Sequence, residues 1–210
     1  MKNATKHAEE LRSLYRKLLK EHKPEPREPM DPLKALVCGA MSFDVSDERA
    51  AQAMKAIEKE FVDLNELRVA TDLEIQALLG GRYPAIEKRV AMITLSLNNI
   101  FEREHTLSLD RLTTVSKRDA RKFLGELPEV HPFVEAYVML YGFDGHAIPL
   151  DDDMLAYLRS EEIIDEQTTL EDAQRFVEHH IKHEESHSFF SVLRAATAAD
   201  GGRAKKKVKA

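Results

Sequence analysis

The chain of 210 residues holds a single cysteine, Cys38. One thiol forms no internal disulfide and supplies no set of ligands for an iron–sulfur cluster, so both kinds of staple are excluded. No apolar run approaches membrane-spanning length, and the opening MKNATKHAEE has no hydrophobic signal core. A soluble, cytoplasmic protein without membrane contact is expected. An excess of positive charge is lacking too: 31 Lys and Arg stand against 37 Asp and Glu, for a formal net charge of -6. Affinity for nucleic acid comes largely from neutralising phosphates, so DNA binding here requires a local basic patch rather than the whole surface. Strand signals are nearly absent, since there is no sustained period-two alternation and no Asn-Gly hairpin turn. No internal repeat is present.

What remains reads as helix, and the expected fold class is all-α. A chain of this length with 43% hydrophobic residues buries a substantial core as one compact unit or two small helical lobes. Over residues 2–23, Leu11, Leu14, Tyr15, Leu18 and Leu19 recur at helical spacing. PEPREP (Pro24 to Pro29) ends that helix, because proline removes a donor and disfavours helix in the residue before it. Capping pairs mark later helix starts at Thr71 with Glu74, Ser116 with Asp119, and Thr168 with Glu171. GGRAKKKVKA (Gly201 to Ala210) reads as a flexible basic tail. Its Arg203, Lys205, Lys206, Lys207 and Lys209 either add salt-dependent nucleic-acid affinity or form a solvated terminus.

Two histidine patterns invite a metal reading. Glu102 with His105 and Glu184 with His187 are Glu-x-x-His pairs, half of a di-iron carboxylate ligand set, but no further glutamate pair stands out. His179, His183 and His187 recur every fourth residue, as a transition-metal site would require. Phe176, His180, His183, His187 and Phe190 also trace a single helical stripe, and partly buried histidines on a helix-packing face are the expectation. No metal is expected.

Three blocks carry a more specific pattern. DPLKALVCGAMSFDVSDERA (Asp31 to Ala50) is similar to DPFxxLVxxxLSQNTSDxxA, and SLDRLTTVSKRDARKFLGELPEV (Ser108 to Val130) to SLDxLxxLPxxEAREYLLxLPGV. LPEVHPFVEAYVMLYGFDGHAIPLDDDMLAYL (Leu127 to Leu158) is similar to a segment that opens LPGVGxKTA and closes FPVDTHV. In that register Leu127, Pro128, Val130 and Ala136 match the first half, and Ile148 to Asp151 the second. The blocks lie in order between Asp31 and Leu158, and the overall likeness runs over roughly residues 31 to 195. Together they resemble the endonuclease III-like, helix-hairpin-helix (HhH-GPD) DNA glycosylase superfamily, of which this chain looks like a divergent member.

The resemblance implies a two-lobed, all-α fold without an iron–sulfur cluster and with a DNA-binding groove between the lobes. Residues 1–29 would be an N-terminal helix and Pro-rich linker that packs with the C-terminal lobe. Residues 30–152 would form a six-helix lobe with a degenerate hairpin at 124–138. Residues 153–198 would form the C-terminal helical lobe, and 199–210 a disordered basic tail.

It also assigns site positions and marks departures from them. Glu129 and His131 replace the hairpin glycines, which with Val130 would face a DNA phosphate. Glu129 brings negative charge there and His131 brings bulk. Phe133 takes the place of the lysine nucleophile of lyases, and no phenyl ring forms a Schiff base. Asp151, with Asp152 as rival if the register slips by one, matches the aspartate that stabilises an oxocarbenium-like sugar cation and helps activate water. DDDMLAYL is equally a helix N-terminus in which the aspartates cap. Phe43 takes the position of a base-gap-filling glutamine, as an aromatic wedge or as core.

Two functions are therefore carried forward. One is a divergent DNA-repair-related protein without lyase activity, retaining at most monofunctional base excision through Asp151. The alternative is a catalytically inactive helical scaffold for protein interaction or general DNA association. Expected partners are double-stranded DNA or a protein. A monomer without a cofactor is expected.

Overall fold

The computed structural model describes the backbone of residues 4–207 and the side chains of residues 5–199. Among these the chain is all helical: eleven α-helices and two 3-10 turns, with no strand. No helix of the described residues is long and apolar enough to cross a membrane. The helices divide into two compact units, one of residues 1–28 with 146–210, the other Pro29–Gly145.

The Pro29–Gly145 unit is built on α2 (Pro32–Ser42). Asp31 caps it by accepting from the Leu33 and Lys34 N–H groups at 3.0 Å each, with Pro32 in the first turn. Of its eleven residues only Lys34 is not buried, so this helix is core on every side. It lies hard against α8 (Pro132–Gly142). A Cβ on Gly142 would fall 2.9 Å from the Pro32 Cα, and one on Gly39 would fall 3.2 Å from the Tyr137 Cβ. Both glycines therefore set how closely the two helices approach. Around this pair stand α3 (Asp47–Glu60), α4 (Leu64–Val69), α5 (Asp72–Leu79), α6 (Ile86–Glu104) and α7 (Lys117–Gly125).

Helix starts follow side-chain chemistry closely. Thr71 and Glu74 form the expected capping box of α5, and Ser116 caps α7 through the Asp119 N–H at 3.1 Å. The third expected cap is one residue off. Thr169, not Thr168, caps α10 (Leu170–His180) by accepting from the Asp172 N–H at 3.1 Å. Thr168 is held in the preceding turn: its N–H donates to the Asp165 carbonyl at 3.0 Å and its carbonyl accepts from Arg159 at 2.9 Å.

In the other unit, α1 (Ala4–Glu21) buries Leu11, Leu14, Tyr15 and Leu18. It packs on α11 (Ser186–Lys207), where Phe189 meets the Tyr15 ring edge-on at 5.4 Å and Ser188 shares a 2.6 Å hydrogen bond with the Tyr15 hydroxyl. The helix α9 (Asp152–Ser160) contributes Met154, Leu155 and Leu158 to the same core. Residues 146–151, expected from the sequence in the central lobe, are tied here instead. The Ile148 N–H donates to Glu178 at 3.1 Å, and the His146 ring hydrogen-bonds the Ile181 carbonyl at 2.8 Å.

The single histidine stripe expected over residues 176–190 does not form. The helix α10 stops at His180, Ile181 turns extended and is buried, and α11 begins only at Ser186. Burial of Ile181, with its carbonyl bonded to His146, is worth more than continuing the helix. His179 and His183 are consequently exposed. No cluster of three or more metal-ligating side chains occurs among the described residues.

Candidate functional site

The hairpin between α7 and α8 is built from residues whose roles are local. Leu127 is buried, and its carbonyl accepts from the Val130 N–H at 3.4 Å across the turn. The Ser96 hydroxyl of α6 donates to the Pro128 carbonyl at 3.2 Å and anchors the turn from below. Glu129 is exposed at φ 59°. That is the left-handed conformation glycine adopts without a steric penalty. The bend forms without a glycine and presents a carboxylate at its tip.

His131 replaces the second glycine in a different way. Its Nδ1 accepts from the Phe133 N–H at 3.1 Å, capping α8, with Pro132 in the first helical turn. The imidazole lies flat on Phe43, with centroids 3.9 Å apart and planes 29° apart. Phe43 also meets Phe133 at 5.6 Å, and Phe133 is fully buried. The lysine position of the expected pattern is thus a core position, and the candidate wedge is packed beneath the hairpin. Arg89, which no sequence pattern marked, completes this cluster. It is 5% exposed and donates to the Ala40, Phe43 and Pro84 carbonyls, with its guanidinium 5.5 Å from the Phe43 ring centre. A guanidinium at a helix C-terminus meets orphan carbonyls and the negative end of the dipole, so Arg89 fixes the end of α2 and Phe43 with it.

Asp151 sits at the N-cap of α9 and is 5% exposed. One carboxylate oxygen, Oδ1, accepts from the Met154 N–H at 2.9 Å. The other, Oδ2, lies 4.0 Å from the Nη1 of Arg194 on α11. Burial pushes its pKa up. The Met154 hydrogen bond and the Arg194 charge pull it back, and Asp153 and Asp152 add repulsion. The rival Asp152 is exposed in the first helical turn, where its charge suits the helix dipole. Arg194 was not marked by the sequence reading. Its signal was there, as the lone cation in the otherwise uncharged run FFSVLRAATAA. Burial depresses the pKa of His180, beside His179, and that of His187, near Arg27. The side chains of Arg203, Lys205, Lys206 and Lys207, and all of Lys209, lie outside the described residues. The α11 backbone runs on to Lys207 through the segment expected to be disordered.

No family model matches the chain, and no curated protein matches it in sequence. Solved structures do match in three dimensions. A trapped endonuclease III–DNA covalent intermediate superposes with TM-score 0.72 at 13% identity, over 89% of this chain and 84% of that one. A Clostridium acetobutylicum 8-oxoguanine glycosylase/lyase, in complex with duplex DNA containing cytosine opposite 8-oxoguanine, gives 0.72 at 15%, over 95% and 71%. The H. pylori 3-methyladenine DNA glycosylase MagIII, bound to 1,N6-ethenoadenine, gives 0.67 at 12%, over 94% and 98%. The fold is that of the helix-hairpin-helix DNA glycosylases.

On this glycosylase fold the candidate residues form two separate groups. Phe43, Arg89, His131 and Phe133 come together around the hairpin, with Glu129 at its tip. Buried Asp151 and partly buried Arg194 form a pair in the other unit. Within the first group Phe133 is a buried phenyl ring and no lysine amine is present. Within the second, a carboxylate is held at a helix N-terminus with a cation beside it.

Proposed function

We propose that the protein is a DNA-repair-related member of the glycosylase fold. It engages lesion-bearing duplex DNA without lyase chemistry, and any base excision it performs is monofunctional, with Asp151 as the carboxylate. Lyase chemistry needs an amine to form a Schiff base with the sugar, and Phe133 supplies none. A monofunctional reaction needs only a carboxylate placed against the sugar as its glycosidic bond breaks. The base departs with the bonding pair, the cation that develops on the sugar is stabilised, and water adds.

The observation that carries this reading is the state of Asp151. Capping uses one oxygen, and asparagine or serine caps a helix as well as aspartate does. Burial makes the charge unfavourable here, so capping alone does not account for a carboxylate. Arg194 at 4.0 Å favours the ionised form that the chemistry requires. The DNA complexes of endonuclease III and of the 8-oxoguanine glycosylase/lyase, and the ethenoadenine bound to MagIII, support the substrate class, a damaged base in duplex DNA.

A second reading, an inactive scaffold, is favoured by one observation: Glu129 presents an exposed carboxylate at the hairpin turn, which would repel a phosphate approaching it. One experiment separates the two. Binding is measured to a duplex with one stable abasic-site analogue and to the same duplex undamaged, for the full chain and for a chain lacking residues 201–210. Tighter binding to the lesion by both chains, followed by base release that Asp151→Asn abolishes, is the expected result. Equal or absent binding to both duplexes would leave the scaffold.

A further inference from the structure

We propose that the groove walled by the end of α3, α4 and α5 docks a cationic, amphipathic helical segment of a partner protein. The groove lies wholly within the Pro29–Gly145 unit and on elements other than the hairpin, and it stands independently of the DNA reading. Its cavity of about 530 Å³ is lined by Phe61, Val69, Ala70, Ala77 and Leu78 on the apolar side. Its charged lining consists of Glu60, Glu66 and Glu74, with no cation among them.

Apolar exposure concentrates on the same stretch of chain. Val62 is 93% exposed, Leu73 76% and Val69 66%, the three most exposed large hydrophobic residues among those described. Single exposed apolar residues need no explanation, but Val69 lines the cavity and Val62 and Leu73 are chain neighbours of its lining residues Phe61 and Glu74, so the three together mark an interaction surface. The shape is a groove between short helices, which takes side-chain anchors spaced along one face of a helix.

Charge decides the occupant. From Lys59 to Glu74 the chain carries five acidic residues (Glu60, Asp63, Glu66, Asp72, Glu74) and two basic ones (Lys59, Arg68), a net of -3. Arg68 is turned away from this role, since it donates to Asn98 at 2.9 Å and stacks over Phe101 at 4.1 Å. Glu66 and Glu74 are fixed in place by accepting from the Val62 and Thr71 N–H groups at 2.6 and 2.8 Å. A nucleic-acid backbone or an acidic peptide is repelled by such a rim. A helix with leucine-type anchors flanked by lysine or arginine matches both the walls and the rim.

The test uses the full chain and three fluorescent helical peptides of one leucine pattern, with lysine, glutamine or glutamate at the polar positions. The lysine peptide is expected to bind at least tenfold tighter than the glutamine peptide and to weaken with salt, while the glutamate peptide does not bind. Ala77 is exposed, so Ala77→Arg fills the groove with bulk and charge without disturbing the core. It should weaken the lysine peptide at least tenfold while the far-ultraviolet circular dichroism and Tm stay unchanged. Val69→Ser should weaken it several-fold. Lysine-peptide binding that Ala77→Arg leaves intact would overturn the proposal, and so would equal binding of the lysine and glutamine peptides. A wild-type dimer in sedimentation that Ala77→Arg dissociates would overturn it too, by making a second copy the occupant.

Discussion

Replacing Glu129 with glycine tests how the hairpin keeps its shape. Glu129 holds φ 59° on an exposed turn, with Val130 closing onto the Leu127 carbonyl. A left-handed residue with a Cβ carries a penalty of roughly 1–2 kcal/mol that glycine avoids. Glycine's greater freedom in the unfolded chain returns roughly 0.5–1 kcal/mol of that. The net for Glu129→Gly is a gain of about 0.5–1 kcal/mol, which in a chain of this size raises Tm by roughly 1–4 °C. Glu129→Ala serves as the control, because it removes the carboxylate and keeps the Cβ, and it should leave Tm within about 1 °C. Thermal unfolding followed by circular dichroism reads both. The same pair separates shape from charge in DNA binding. Both variants should strengthen binding to the abasic duplex at low salt, since both remove a negative charge from the turn. A fall in Tm for Glu129→Gly, or an equal rise for Glu129→Ala, would refute the argument that the left-handed backbone is what glycine relieves.

Three further perturbations have defined outcomes. Arg89→Ala strips three carbonyls of a buried cationic donor and should cost about 3 kcal/mol, with a fall in Tm of roughly 6–12 °C; a shift under ~2 °C would mean the guanidinium does not hold the end of α2. Phe133→Lys places an amine at a fully buried position and should lose at least about 3 kcal/mol in urea denaturation, with no borohydride-trapped complex on an abasic duplex; a stable variant that traps DNA would show the position to be open. Asp151 has its pKa raised above the ordinary 3.8 by burial, so the folded state binds the proton more tightly than the unfolded state, and wild-type stability falls as pH rises through that raised value. Asp151→Asn keeps the acceptor for the Met154 N–H, so its Tm should match wild type in acid and equal or exceed it at neutral pH; a variant that is less stable at neutral pH, relative to its standing in acid, would make the carboxylate a net stabiliser through Arg194.

Much of the fold was legible because local signals and burial agree. The spacing of Leu11, Leu14, Tyr15 and Leu18 gives α1 its buried face, and the Thr71–Glu74 and Ser116–Asp119 pairs place two helix starts. Where the reading slipped, a non-local contact outweighed the local signal. Arg159 bonds the Thr168 carbonyl, and the cap moves to Thr169. Burial of Ile181 and its bond to His146 break a segment that contains no proline or glycine. The candidate site was legible as positions and not as surroundings. The family resemblance marked Phe43, His131 and Phe133 as site positions, but their stacking on one another and the Arg89 beneath them depend on packing between helices distant in sequence. Asp151 could be placed at a helix start, whereas Arg194, 43 residues later in the numbering, becomes its neighbour only once α9 and α11 pack.

These sites differ in what folding asks of them. At the hairpin, the tertiary structure is set by the buried Leu127, Val134 and Ala136, by the His131 cap, and by a bend that Glu129 enters at a cost. None of these requires glycine at positions 129 and 131, so the glycosylase fold forms with Glu129 and His131 at the turn. Asp151 is the opposite case. Folding uses one oxygen as a cap, which an uncharged side chain would supply without placing a carboxylate in a site 5% exposed, and the second oxygen faces Arg194, at 4.0 Å. A residue that folding alone would exchange for a cheaper one is where a role beyond stability is best sought. The hairpin explains how the chain keeps the fold, and Asp151 is the position at which the fold alone does not explain the chain.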